Sequence, residues 1–223
     1  QPPSTVRIDF SDNKSFTGAA RSSGFTGKMG MTYQATETTT LGLSYQLKTQ
    51  LSDMKTGASD ATLTMGMAMP GRMLIHNFQM PSVLAGGISW TATPKFLLVA
   101  DVKRVDWSKV MQNFRMTFES SQGLGTIGFT LPQNWKDQTV LSVGGAYKVT
   151  DQWTLRAGLS DSSNPVPDAY VHPLFPAIVK RHLTAGFGYA LRSNVTISAA
   201  ASHAPKVTVN AGMLSGEIGR AHV

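Results

Sequence analysis

The sequence contains no cysteine, carries little charge and has no long apolar run. Without cysteine there is no disulfide framework, no thiol nucleophile and no Cys-ligated zinc site. Charged residues make up 15% of the 223 residues, whereas about 25% is typical of soluble domains. Because no apolar run reaches about 18 residues, the sequence has no candidate transmembrane helix. These absences leave two classes open, soluble β proteins and transmembrane β-barrels, in which only alternate residues meet lipid.

Apolar residues recur at every second position, which is the period of a β-strand. The opposite positions hold mostly Ser, Thr, Gly and Ala, whereas the solvent face of a soluble sheet usually holds many Lys and Glu. This small, polar face is typical of the crowded interior of a barrel. The segments with the strongest alternation are 41–47, 84–90, 96–102, 141–147, 153–159, 183–189 and 195–201.

Four β-hairpins are predicted from a weak internal repeat that runs into short turns. Three copies read GMTYQAT from Gly30, GISWTAT from Gly87 and GGAYKVT from Gly144, and GFGY from Gly186 is a looser fourth. The connections between hairpins are long, at about 52–60, 108–137 and 161–181, and the second of them has room for strands of its own. Short turns at one end with long loops at the other are characteristic of an outer-membrane barrel.

Aromatic residues immediately before the short turns are predicted to share one height on the sheet. A ring of aromatic side chains at one height is the pattern of a membrane-interface girdle. The predicted girdle consists of Tyr33, Trp90, Tyr147 and Tyr189.

The chain also resembles the FadL family of outer-membrane transporters for long-chain fatty acids and hydrocarbons. The stretches that carry the resemblance are ADVKRVDWS from Ala100, LPQNWKD from Leu131, NPVPD from Asn164, PLFPA from Pro173 and APKVTV from Ala204. The likeness runs through most of residues 4–210. It implies an all-β fold, an antiparallel transmembrane β-barrel plugged by an N-terminal hatch, located in the bacterial outer membrane.

Two departures from this family qualify the expectation. The hatch and the early strands have no counterpart here, and the chain does not end in the aromatic residue that normally closes such a barrel. We therefore expect residues 1–215 to be a partial barrel, about ten strands of a fourteen-stranded one and roughly the C-terminal two-thirds of a transporter. Residues 216–223 are expected to be a non-native tail.

Charged residues on the small-residue positions are the first candidate ligand-binding residues. Arg156, Lys103 and Asp101 all have the parity predicted to point into the barrel. A cation in an otherwise apolar channel can bind a fatty-acid carboxylate by charge-assisted hydrogen bonds. The alternatives are ion pairing with carboxylates of the hatch and simple solvation in the lumen.

Apolar residues of the long connections form the second candidate set. An apolar groove with few polar anchors suits an acyl or aromatic ligand, although packing of the loops onto the barrel rim would use the same residues. The candidates are Phe114, Met116, Phe118, Leu174, Phe175 and Ile178.

The function predicted from the sequence is passive uptake of long-chain fatty acids or other hydrophobic compounds, such as aromatic or aliphatic hydrocarbons. No enzyme motif occurs, and we expect neither enzymatic activity nor a cofactor or metal. The net charge of +7 is scattered, which argues against nucleic acid and favours rim contacts with outer-membrane lipid and lipopolysaccharide. We expect a monomer. The alternatives are a non-specific or structural barrel and a secreted soluble β-sheet binding protein.

Overall fold

The computed structural model describes residues 7–12, 18–123, 125–171, 178–192, 194–209 and 221–222. No helix in this described part is long and apolar enough to cross a membrane. Two short 3₁₀ helices cover Trp107–Lys109 and Asp168–Tyr170. The strands of the described residues, in chain order, are β1 (Arg7–Asp9), β2 (Gly24–Phe25), β3 (Lys28–Gln34), β4 (Thr39–Gln46), β5 (Gln50–Leu51), β6 (Met54–Lys55), β7 (Ala61–Met65), β8 (Met67–His76), β9 (Val83–Thr93), β10 (Phe96–Val105), β11 (Asn113–Ser120), β12 (Thr126–Pro132), β13 (Gln138–Lys148), β14 (Trp153–Ser162), β15 (Arg181–Arg192), β16 (Val195–His203), β17 (Thr208–Val209) and β18 (Ala221–His222).

The chain divides into two compact units. Unit 1 comprises Gln1–Thr26, Lys48–Met80 and Val110–Gln133, and unit 2 comprises Gly27–Leu47, Pro81–Lys109 and Asn134–Val223. The described strands of unit 2 form an eight-stranded sheet in the order β16-β15-β14-β13-β10-β9-β4-β3. Every neighbouring pair in this sheet is antiparallel. The all-β, antiparallel architecture predicted from the sequence is therefore confirmed.

The four predicted hairpins are the pairs β3–β4, β9–β10, β13–β14 and β15–β16. Their turns are short, and the β9–β10 turn consists of Pro94 and Lys95 between the two strands. Thr150 stabilises the β13–β14 turn, because its hydroxyl oxygen accepts hydrogen bonds from the backbone N–H groups of Gln152 and Trp153. Short hairpin turns keep sequential strands adjacent, so the strand order of the sheet follows largely from the sequence.

Two of the long connections of the sheet contain strands of their own. Six described strands of unit 1 form a second antiparallel sheet in the order β1-β7-β8-β11-β12, with β6 also paired to β8, and β2 pairs separately with β5. The first connection runs from the end of β4 to the start of β9 and contains β5 to β8. The prediction of a connection over 52–60 was therefore wrong. Its strands were missed because Met, Thr and Gly predominate there and Pro70 lies within β8, which weakens the strand signal.

An apolar core lies within unit 1. Leu63 on β7, Met73 on β8 and Phe118 on β11 are almost completely buried. Phe118 lies directly opposite Met73 in the β8–β11 ladder, and its ring packs where a Cβ on Gly71 would lie. A side chain at Gly71 would also strike the backbone oxygen of Glu119. The core therefore depends on a large ring at one position and on the absence of a side chain at another.

We predict that Phe118→Ala destabilises unit 1 selectively. Removing a fully buried phenylalanine side chain costs about 3–5 kcal/mol, because it leaves a cavity as well as losing buried area. Amide hydrogen exchange by mass spectrometry should show faster exchange in β7, β8 and β11 and little change in β13 to β16. The matched control is Met67→Ala in the same unit, since Met67 is 75% exposed. Equal protection in both variants would contradict the assignment of this core.

Candidate functional site

One face of the eight-stranded sheet is apolar and exposed, and it is called the apolar face below. Residues paired across an antiparallel ladder lie on the same face, so the registers define its membership. Its exposed members include Leu43, Ile88, Val102, Leu141, Val143, Leu155, Leu159, Leu183 and Ile197. Every one of these occupies the apolar parity predicted from the sequence. A contiguous apolar surface of this extent is what lipid contact requires.

The apolar face ends in aromatic residues on one side and in polar residues on the other. Along β13 the face begins at Tyr147 and ends at Thr139, and along β15 it begins at Tyr189 and ends at Arg181. The spacing of eight positions recurs from Phe96 to Arg104 on β10 and from Trp153 to Asp161 on β14. Eight positions span about 27 Å of strand, or about 20 Å vertically at a typical barrel tilt. This band approaches the height of the apolar band of outer-membrane barrels.

The predicted girdle residues Tyr33, Trp90, Tyr147 and Tyr189 all lie on the apolar face next to the short turns. Three more aromatic residues lie beside them, and sequence reasoning did not select these three as girdle residues: Phe96, Trp153 and Phe187. The Trp153 ring centroid is 4.7 Å from that of Tyr189 and 5.4 Å from that of Phe187. The Phe96 and Tyr147 centroids are 6.4 Å apart. For Phe96 and Trp153 the available signal was their position at the start of a strand that follows a short turn. A membrane-interface role for the whole set stays a prediction.

The opposite face of the sheet, called the small-residue face below, is formed mostly by Gly, Ser, Thr and Ala. Gly42 lies opposite Gly87, and Gly144 lies opposite Gly158, so parts of this surface are bare backbone. The side chains of Ser142 and Ser160 lie 3.2 Å apart, oxygen to oxygen, in a cross-strand hydrogen bond. Small side chains on this face leave open space beside the sheet, in which a ligand or another segment of protein can fit.

Arg156 projects from β14 on the small-residue face, as predicted. It lies opposite Ala146 on one neighbouring strand and Gly186 on the other. A Cβ on Gly188 would lie 3.1 Å from a terminal guanidinium nitrogen of Arg156, so the absence of a side chain at Gly188 leaves room for the guanidinium. Among the described residues no ion pair with Arg156 is found. Its charge is therefore available to a partner outside this set.

Asp101 and Lys103 are also on the small-residue face, two positions apart on β10. Asp101 lies opposite Gly87 and Ser142, and its carboxylate extends over the space where Gly87 lacks a side chain. Both residues are exposed, and neither belongs to a salt bridge within the described part of the chain. Arg156 lies on a different strand from this pair, with β13 between them. The three predicted residues therefore share a face but do not form one cluster, and their role in ligand binding stays a prediction.

The second candidate set lies mostly in the interior. Phe114, Met116 and Phe118 are 7%, 8% and 1% exposed and face the core of unit 1. Phe114 packs edge-to-face with Phe78 at a centroid distance of 5.9 Å. Ile178 in unit 2 is fully buried, and Leu174 and Phe175 lie outside the described residues. The packing of these buried side chains is thus accounted for by the fold, and a groove-lining role for them stays a prediction.

A polar network lies where β10 ends and β13 begins, next to the long connection between these two strands. The Asp137 carboxylate accepts hydrogen bonds from the Ser108 hydroxyl at 2.6 Å, the Ser108 backbone N–H at 3.0 Å and an Arg104 terminal nitrogen at 2.7 Å. The Asp106 carboxylate accepts from Lys109 at 2.9 Å, Ser82 at 2.8 Å and the Arg104 Nε at 3.3 Å. This network was not predicted, because Asp137 and Ser82 meet the segment 104–109 only through the pairing of β10 with β13 and with β9.

These contacts shift the pKa values of the carboxyl groups and of one cation. The Lys109 ammonium, with Ser82 and Arg104, lowers the pKa of Asp106, and the Ser108 hydroxyl and backbone N–H lower the pKa of Asp137. Asp106 in turn raises the pKa of Lys109. Hydrogen bonds to the charged form are the cause in each case. The network is therefore a cluster of charged groups at the strand ends, and its pKa shifts are those of a structural ion-pair cluster.

No group of three or more His, Asp or Glu residues in the described part of the chain is placed to hold a metal ion. The nearest approach to a catalytic arrangement is His76 in unit 1. Its Nδ1 is 2.7 Å from an Asp53 carboxylate oxygen, and its Nε2 is 2.7 Å from the Thr117 hydroxyl. The Asn77 backbone N–H also donates to Asp53 at 2.8 Å. These bonds join the segment before β6 to the end of β8 and to the middle of β11, so they are explained by the fold.

Comparison with known proteins places these features in a family context. A family model described as "Outer membrane protein transport protein (OMPP1/FadL/TodX)" matches residues 8–214. No curated protein matches the chain.

Solved structures give closer detail. The chain is similar to the Ralstonia pickettii toluene transporter TbuX, with 31% identity and a TM-score of 0.75, over 91% of this chain and 46% of that one. It is similar to the Pseudomonas putida toluene transporter TodX, with 34% identity and a TM-score of 0.74, over 83% and 45%. A Pseudomonas aeruginosa FadL homologue at 24% identity and a TM-score of 0.61, over 83% and 45%, shares the fold. The chain thus spans about half the length of these structures, less than the two-thirds expected.

The assignment of the two faces can be tested at adjacent positions of β13. Val143 lies midway along the apolar face and is 55% exposed, whereas Ser142 lies on the small-residue face. Val143→Arg should destabilise the membrane-inserted protein by about 2–4 kcal/mol, because a charge at the bilayer midplane is costly. Ser142→Arg should be tolerated, since its neighbour across the ladder is Asp101. Heat-modifiable gel mobility in outer-membrane fractions measures folding, and equal loss in both variants would refute the assignment.

Proposed function

The chain belongs to the outer membrane transport protein family that includes FadL and TodX, and from this premise we propose that the whole protein is a channel for passive uptake of hydrophobic compounds. Family members are transport proteins of the bacterial outer membrane, not enzymes. Because this chain spans about half the length of the solved relatives, the activity is proposed for the full protein.

One observation supports the proposal most directly, namely the two different faces of the eight-stranded sheet. Leu141 and Val143 are more than half exposed on one face, and the other face is formed by small residues with a few unpaired charges. In water, each Å² of the apolar face left uncovered would forgo about 25 cal/mol of stabilising free energy. This cost disfavours the alternative of a secreted soluble protein. Arg156 is exposed on the small-residue face and has no ion-pair partner among the described residues, and a cation open to a ligand is expected of a channel rather than of a purely structural barrel.

The first candidate substrate class is monoaromatic hydrocarbon. Both relatives described above with more than 30% identity are toluene transporters by their descriptions, whereas the FadL homologue is 24% identical. A small aromatic ligand needs an apolar path and no charged anchor.

Long-chain fatty acid is the second candidate class, and the unpaired guanidinium of Arg156 supports it. A carboxylate entering along the small-residue face could accept a charge-assisted hydrogen bond from Arg156. Lys103 would add a second cation on the same face.

The proposed mechanism is diffusion through a series of binding positions. A ligand is first captured by apolar residues of the long connections, which include the sequence candidates Leu174 and Phe175. It then moves along the small-residue face and is released on the periplasmic side. Each step runs down the concentration gradient, so the protein needs neither a nucleotide nor a cofactor. We also propose that the protein is a monomer, as expected from the sequence.

Growth complementation tests the transport proposal. The complete gene that encodes this chain should restore growth on toluene, at low supply, to a host that lacks its own transporter. Rates of radiolabelled toluene and oleate uptake then compare the two substrate classes in the same cells. The control is the Val143→Arg variant, which should fail to insert. Uptake no faster than in the empty host for both ligands would refute the transport function.

Arg156→Met tests the choice between the two substrate classes. If oleate is carried with its carboxylate on Arg156, the variant should raise the half-saturating oleate concentration roughly tenfold, since losing one charge-assisted hydrogen bond costs about 1.5 kcal/mol. Toluene uptake should be unchanged.

Arg192→Met is the matched control, because Arg192 ends β15 beside a short turn. It should alter neither uptake rate. Unchanged half-saturation for both ligands in Arg156→Met would remove Arg156 from the ligand path and leave hydrocarbon as the favoured class.

A further inference from the structure

Arg181 occupies an unusual position at the end of the apolar face. It is the first residue of β15, and its ladder partner on the apolar face is Asp161. The next residue of β15 on the same face is Leu183, which is 47% exposed. Arg181 itself is exposed, with 61% of its side chain accessible. Along β15, a guanidinium thus follows directly on the last exposed aliphatic side chain of the apolar face.

The guanidinium of Arg181 is only partly satisfied. Its Nε donates to the Asp161 carboxylate at 3.1 Å, and within the described residues no partner is found for the two terminal nitrogens. Arg104 at the corresponding end of β10 differs, because it donates through Nε to Asp106 and through a terminal nitrogen to Asp137. The terminal edge of Arg181 therefore keeps the donor geometry that binds one phosphate group through two hydrogen bonds.

Basic residues lie close to Arg181 in the ladder and in the sequence. His203 lies opposite Leu183 on β16, one row from Arg181. Lys180 precedes Arg181, Lys206 follows β16 in the sequence, and both side chains are exposed. Asp161 is the acidic residue paired with this group in the ladder, and it already holds the Nε of Arg181. The charge complements an anion.

Position along the strand indicates the depth of this group in the membrane. Arg181 lies eight positions from Tyr189 on the apolar face, at the end of the sheet where the long connections leave it. Outer-membrane barrels place long connections on the outer side and short turns on the periplasmic side. At that depth the anions available are the phosphate groups of lipid headgroups.

We propose that Arg181, flanked by His203, binds a phosphate group of outer-leaflet lipid such as lipid A. The proposal rests on the outer-membrane placement in the proposed function and adds a specific lipid site to it. The two terminal nitrogens of Arg181 donate to phosphate oxygens, and Asp161 holds the guanidinium in place through Nε. The exposed row of Leu159 and Leu183 contacts the acyl chains of the same lipid.

Titration of lipid A into the purified full-length protein in detergent tests this site, with native mass spectrometry counting bound lipid. Arg181→Gln should weaken lipid A binding about fivefold, the effect expected for one cation at a lipid surface. Arg181→Lys should retain most of the affinity. Heat-modifiable gel mobility shows that each variant is folded, and toluene uptake in cells should be unchanged by either substitution.

Two arginines provide matched controls. Arg156→Gln removes a charge from the small-residue face, and Arg192→Gln removes one from the other end of β15. Neither should change lipid A binding. An equal loss in either control, or no loss in Arg181→Gln, would overturn the site. Equal binding of dephosphorylated lipid A, or complete competition by millimolar inorganic phosphate, would overturn the assignment to a lipid phosphate. Absence of uptake in the unmodified protein would refute the transport function alone.

Discussion

Backbone hydrogen bonding between antiparallel neighbours is the constraint on which the rest of the larger sheet depends. In hydrocarbon each unpaired N–H or C=O group costs several kcal/mol, so strands can meet lipid only within a continuous ladder. Hairpins with short turns satisfy this requirement for each pair of strands, and the pairings of β4 with β9, β10 with β13 and β14 with β15 extend it across all eight. Once the ladder exists, the two-residue period leaves no choice about which side chains share a face.

Apolar side chains serve opposite purposes in the two units. On the larger sheet Leu141 and Val143 are exposed. Such side chains stabilise the protein only when something apolar, such as lipid, covers them. In unit 1 Leu63, Met73 and Phe118 are almost completely buried, as in the core of a water-soluble domain. The same residue types in the same strand pattern thus build a surface in one place and a core in the other. The difference lies in what each sheet packs against, and the sequence of a single strand does not contain that information.

Charge is distributed according to the same logic. Where carboxylates and cations meet at strand ends, as Asp106, Asp137 and Arg104 do, they form a network in which each group is paired. Arg156 on the small-residue face and the terminal nitrogens of Arg181 beyond the apolar face have no such partner among the described residues. An incompletely paired guanidinium has free hydrogen-bond donors, and its location determines which acceptors are within reach. In a channel interior the acceptor is a ligand, whereas at the membrane surface it is a lipid headgroup.

The sequence by itself determined the strands of the larger sheet, their hairpin pairing, the membership of both faces and the family. These are local or nearly local properties, since alternation has a period of two residues and a short turn forces adjacent strands to pair. Even the parity of Arg156, Lys103 and Asp101 followed from counting. The tertiary structure alone decided that strands from two of the long connections pair in a second sheet, that Phe114, Met116 and Phe118 are buried there, and that Ser108 and Arg104 converge on Asp137. Those outcomes depend on pairing between segments far apart in the chain. An alternating strand pattern states which residues share a face, and only the packed structure determines whether that face meets lipid, ligand or another part of the protein.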